Sequence, residues 1–98
     1  MLVLKPTLLG GMCACLALAR DAAARGLSVV VTHVFDGPVA LAAAAELAAA
    51  LPGRVLACGL DRHGGLAAWP DVAIPQLGPD YVASAGRPGL GLPEINIV

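Results

Sequence analysis

The chain predicts an α/β fold, a β-α-β-α-β arc of parallel strands with an irregular carboxyl-terminal tail, and three observations carry that prediction. Three short apolar runs, LVLK, SVVVTHV and RVLAC, alternate with two alanine-rich segments of helical length. The connections are short and rich in glycine and proline, as right-handed βαβ units require. Polar side chains (Lys5, the group from Thr32 to Asp36, and Asp61) fall at the carboxyl ends of successive runs. Open sheets and barrels both place their sites there, but convergence from several strands favours an arc of a TIM-type (β/α)8 barrel.

Each element has a local cause. Residues 2–4 are apolar and Pro6 forces Lys5 into an extended conformation, so the first strand ends near Thr7. Residues 8–11 form a turn. Over 12–25, Met12, Cys15, Leu16, Ala19 and Ala23 recur at helical spacing, opposite Arg20, Asp21 and Arg25. Gly26 then stops the helix. Residues 28–34 are continuous and β-branched, which suits a strand covered on both faces. Asp36-Gly37-Pro38 supplies helix-start chemistry with Asp36 as N-cap. The helix that follows is assigned a stripe of Val39, Ala43, Leu47, Ala50 and Leu51, and Pro52-Gly53 ends it. Residues 54–58 read as a third strand, and Gly59 opens a loop through Asp61 and His63. Residues 1–65 are thus the βαβαβ unit and 66–98 the tail, whose Trp69 and Tyr81 are expected to pack against the base of the sheet.

Composition narrows the function. With 98 residues, 58% hydrophobic and 3% aromatic, the chain suits one small domain, yet alanine fills the positions where bulky side chains normally close a core. A partner is therefore expected, either the missing remainder of a barrel or a second copy. The net charge of −1 and the scattered Arg20, Arg25, Arg54, Arg62 and Arg87 argue against nucleic-acid binding. The apolar stretch 39–51 is too short to span a bilayer and contains Glu46, so neither a membrane span nor a signal peptide is expected. Three cysteines cannot pair completely, and Cys13 and Cys15 diverge on a helix. A reduced, cytoplasmic location follows, with too few ligands for zinc. The glycines do not have the G-x-G-x-x-G spacing of a nucleotide-binding loop.

Lys5 is the only lysine, one of six cationic side chains, and stands at the end of a buried-looking strand. Burying an ammonium is costly unless it is paired or used. The alternative is a strand-end lysine that snorkels to solvent. His33 is a candidate for contacting substrate or pairing with Asp36 or Asp61, and the backbone at Gly37 is a candidate receiver for a carboxylate. Asp61 is a candidate to orient Lys5. His63, farther out in the loop, is assigned no role.

The motif LVLKPTLLGG resembles the sixth barrel strand of the enolase superfamily, in the muconate-lactonizing-enzyme-like subgroup whose acid/base groups are lysines. VVTHVFDGPVAL resembles the seventh strand and the helix start after it, CGLD the eighth strand, and RPGLGL the closing segment. The K-P-T-L form is most similar to the o-succinylbenzoate synthase family. That resemblance implies the last three strands of the barrel and a magnesium-dependent dehydration of a small carboxylate through an enediolate, in menaquinone synthesis. It implies Lys5 as the catalytic residue, and His33, Asp36, Gly37 and Asp61 beside the substrate. It also implies Mg2+, held by carboxylates on strands absent from this chain. His33 and Val34 stand where the family commonly has serine, and Asp36 where it commonly has glutamate. The expected activity is therefore that of a fragment, inactive alone. Two alternatives stand beside it: an N-acylamino acid racemase or dipeptide epimerase on the same scaffold, and a noncatalytic module that self-associates.

Overall fold

Helices in this chain cover one face of a small parallel sheet because its valines and leucines alternate with the pleat. The computed structural model describes residues 1–72 and 89–90. In order, the elements are β1 (Leu2–Leu4), α1 (Met12–Ala24), β2 (Val29–Val31), α2 (Pro38–Ala50) and a 3-10 helix (Gly64–Ala68). β1 and β2 run parallel with Leu2 opposite Val29, Val3 opposite Val30 and Leu4 opposite Val31. The fold is a small α/β arrangement of two parallel strands and two helices.

The third run joins the other edge of β2 only through parallel bridges, Val29 to Val55 and Thr32 to Gly59. Between them β2 advances three residues and the third run four, so one residue is extra and the ladder bulges. At the bulge the Val31 N–H donates to Cys58 Sγ at 3.3 Å instead of to a carbonyl. The expected continuous strand over 54–58 is accordingly broken. The second strand is also shorter than the 28–34 expected, because the chain bends at Val34 and Phe35.

Leu4, Val29 and Val31 are buried against Cys15 and Ala19 of α1 and Leu41, Ala44, Ala45 and Leu47 of α2. On the opposite sheet face Val3 is 44% exposed, and Val30 is only partly buried. β2 is therefore fully covered on one face, not on both. By the same alternation Lys5 and Thr32, one step beyond the paired strands, continue the Val3 and Val30 face.

α1 follows the expected stripe at Cys15 and Ala19, which are buried, but its end is shifted by one residue: Ala22 is buried and Ala23 only partly so. Its end is closed by Gly26 at φ 69°, whose N–H donates to the Ala23 carbonyl, while the Leu27 N–H reaches the Ala22 carbonyl. This double closure is a Schellman motif. α2 buries Pro38, Leu41, Ala42, Ala44, Ala45 and Leu47, which corrects the expected stripe: Val39 is exposed. Twelve of its thirteen residues are apolar, so few polar positions mark its outer side. Cys13 is exposed and Cys15 buried, and burial pushes the Cys15 thiol up, keeping it protonated. Among the described residues no helix is long and apolar enough to cross a membrane.

Candidate functional site

Parallel strands deliver their carboxyl ends to one edge of the sheet, and the chain's polar side chains gather there. Lys5 leaves β1 just before Pro6, and its carbonyl accepts the N–H groups of Leu8 and Leu9 at 2.9 and 3.0 Å, closing the turn. The side chain crosses to β2. Its Nζ donates to Thr32 Oγ1 at 2.8 Å and to the His33 carbonyl at 3.2 Å. An ammonium has three N–H donors, so two are directed by the residues that follow β2.

Asp36 ties the three post-strand segments together. Oδ1 accepts the Thr7 hydroxyl at 2.8 Å, and Oδ2 accepts the Val34 N–H at 3.3 Å. Its carbonyl accepts His63 Nε2–H at 2.7 Å. Asp36 is buried, 9% exposed, so these bonds replace water. It is not the N-cap of α2. Gly37 holds that position, without any side-chain cap, and Pro38 follows it. Asp36 lies one residue too early, and its carboxylate is engaged by Thr7 and Val34 instead.

His33 does not pair with Asp36 or Asp61. Its Nδ1 accepts the Phe35 N–H at 3.0 Å, so in the neutral ring the proton sits on Nε2. Phe35 adopts φ 59°, a left-handed conformation that a side chain enters at a cost. That backbone turns the ring outward, 79% exposed. The His33 and His63 rings lie 4.7 Å apart at a 38° tilt, and Phe35 meets His63 edge-on at 5.5 Å.

His63 is the residue that sequence position alone passes over. With Nε2–H given to Asp36, its buried Nδ1 has no hydrogen-bond partner among the described residues. Gly65 packs closely beside it: a Cβ there would lie 3.0 Å from Nδ1, so a side chain at that position would push against the His63 ring. A usable signal existed: the chain has two histidines, and both follow adjacent strands.

The remaining candidates are placed apart. Asp61 is exposed, and the hydrogen bonds of Lys5 go to Thr32 and His33 instead. Trp69 does not lie at the base of the sheet. Its ring covers Gly37 at the opposite end, 3.4 Å from where a Cβ would stand, so the substrate-receiving backbone proposed at Gly37 is shielded on that side. Tyr81 lies outside the described residues. The arrangement offers an aimed amine, a buried carboxylate and two neighbouring imidazoles, groups able to hold charge and hand on protons. Among the described residues no cluster of three or more His, Cys, Asp or Glu could hold a metal ion. Comparison with protein-family models, with curated proteins and with solved structures finds no match to this chain.

Proposed function

We propose that the chain supplies the last three strands of a (β/α)8 barrel of the enolase superfamily, and that the whole enzyme is a lyase of the o-succinylbenzoate synthase type. The supporting observation is the Lys5 amine, held by Thr32 across the carboxyl ends of two neighbouring parallel strands. The parallel pair of β1 and β2, with the third run bridged in parallel to the other edge of β2, agrees with an arc of a closed barrel.

In this reading the substrate is a small carboxylate that loses a proton beside its carboxyl group and then a hydroxyl group as water. Lys5 places a positive charge beside the enediolate that forms between those events. The described residues do not supply a metal-ligand set. The Mg2+ of the family is accordingly assigned to carboxylates outside this chain. Three free cysteines fit a cytoplasmic location.

The test is reconstitution. Alone, the chain is expected to show no dehydration; mixed with the first five strands of a synthase barrel, it is expected to regain turnover. Lys5→Ala should lower that turnover by about 10²–10³-fold, the scale of removing one group that stabilises developing charge. Dehydration by the isolated chain, or full turnover with Lys5→Ala, would contradict the proposal. Exchange of the α-proton of N-succinyl amino acids in deuterated water, without dehydration, would instead identify a racemase. Val3, exposed on the uncovered sheet face, favours a self-associating module as the second reading. A defined oligomer unaffected by Lys5→Ala, together with inactive mixtures, would establish it.

A further inference from the structure

We infer that Thr32 and Gly59 are positioning residues that aim the Lys5 amine, through a relay crossing the ends of three adjacent strand segments. Lys5 belongs to the first segment, Thr32 to the second and Gly59 to the third. Thr32 Oγ1 accepts Lys5 Nζ–H at 2.8 Å, and Thr32 bridges to Gly59 in parallel register. The other branch of the same side chain, Cγ2, lies 3.1 Å from where a Gly59 Cβ would stand. A β-branched residue has few free rotations at χ1, so its methyl and hydroxyl move together. Whatever displaces the methyl displaces the acceptor that holds the amine.

Gly59 has no backbone reason to be glycine. Its φ is outside the left-handed region, unlike Gly10, Gly11, Gly26, Gly53 and Gly89. Its lack of a side chain leaves the room that Thr32 Cγ2 uses. Valine at position 32 would keep the shape and lose the acceptor, whereas serine would keep the acceptor and lose the methyl. The function of the aimed amine rests on the lyase reading; the relay itself does not.

Lys5 is the only lysine, so an amine-selective reagent reads it against the terminal amine alone. Acylation by acetic anhydride, quantified by peptide mass spectrometry on the full chain without substrate, is the experiment. Circular dichroism of each variant reports its folding. Thr32→Val is expected to raise the Lys5 acylation rate by about tenfold, the scale of one hydrogen bond to a charged group. Thr32→Ser should stay within about twofold of the original rate, and Gly59→Ala should raise it by about threefold. Gly59→Ala combined with Thr32→Ser should return to near the original rate, because the displaced methyl is gone. That rescue separates positioning from a general loss of structure, and it stands even if the valine variant does not fold. An unchanged rate in Thr32→Val or Gly59→Ala, or no rescue in the double variant, would overturn the relay. Because no turnover is measured, failure here leaves the lyase reading to its own test, and failure there leaves the relay intact.

Discussion

Leu47→Ala is expected to lower the free energy of unfolding by about 2–5 kcal/mol. The largest fully buried side chains are Leu4, Leu41, Leu47, Val29, Val31 and Cys15, and alanine occupies much of the remaining core. Leu47 is completely buried on α2 and joins the cluster that includes the β2 valines and α1. Few large neighbours are available to collapse into the space it would vacate, which places the cost toward the upper part of the range. Domains of this size have about 5–15 kcal/mol of stability in total, so the variant should be largely destabilised at room temperature. Leu18, 39% exposed on α1, is the control. Urea unfolding followed by circular dichroism should show Leu18→Ala within about 1 kcal/mol of the parent. Equal losses for the two leucines would mean that the α2 packing described here is wrong.

Gly53→Ala is expected to cost about 2–5 kcal/mol, and the reason is two effects at one atom. Gly53 has φ +78°, and a Cβ there would stand 2.8 Å from Ala23 Cβ of α1. A left-handed conformation costs a non-glycine residue about 1–2 kcal/mol. The clash adds about 1–3 kcal/mol, because a helix alanine cannot swing aside and the turn after α2 must lift from α1. Gly26 separates the two effects. It has φ +69° but nothing within 4 Å of its Cβ position, so Gly26→Ala should carry only the backbone part. Thermal unfolding of the pair should place Gly53→Ala clearly below Gly26→Ala; equal transitions would show that the turn and α1 do not touch.

These two sites also show how far residue pattern reaches. The order of elements and the stop at Gly26 were legible because apolar spacing and a positive-φ glycine are local signals. The buried face of α2 was not, since its run of alanines gives helical spacing little polar contrast. The break in the third run arises from Cys58 Sγ taking the Val31 N–H, a cross-strand event invisible in either segment alone. At the site, Lys5 was legible from its chemistry, as a lone lysine on an apolar strand. Thr32 was legible as part of the polar group at the end of the second run, but not as the acceptor of Lys5, because that bond spans twenty-seven residues. Asp36 looked like a cap from its place before Gly37-Pro38, yet Thr7, twenty-nine residues away, draws it elsewhere. His63 entered through the tertiary approach of two loops, which sequence distance conceals.

Everything functional in this account depends on where one nitrogen points. Nuclear Overhauser contacts of the Lys5 Cε and Nζ protons, in a chain labelled only at lysine and threonine, address it directly. Contacts to Thr32 and a slowed exchange of the ammonium protons are expected, consistent with the 2.8 Å bond to Oγ1. A freely exchanging ammonium without a threonine contact would contradict it.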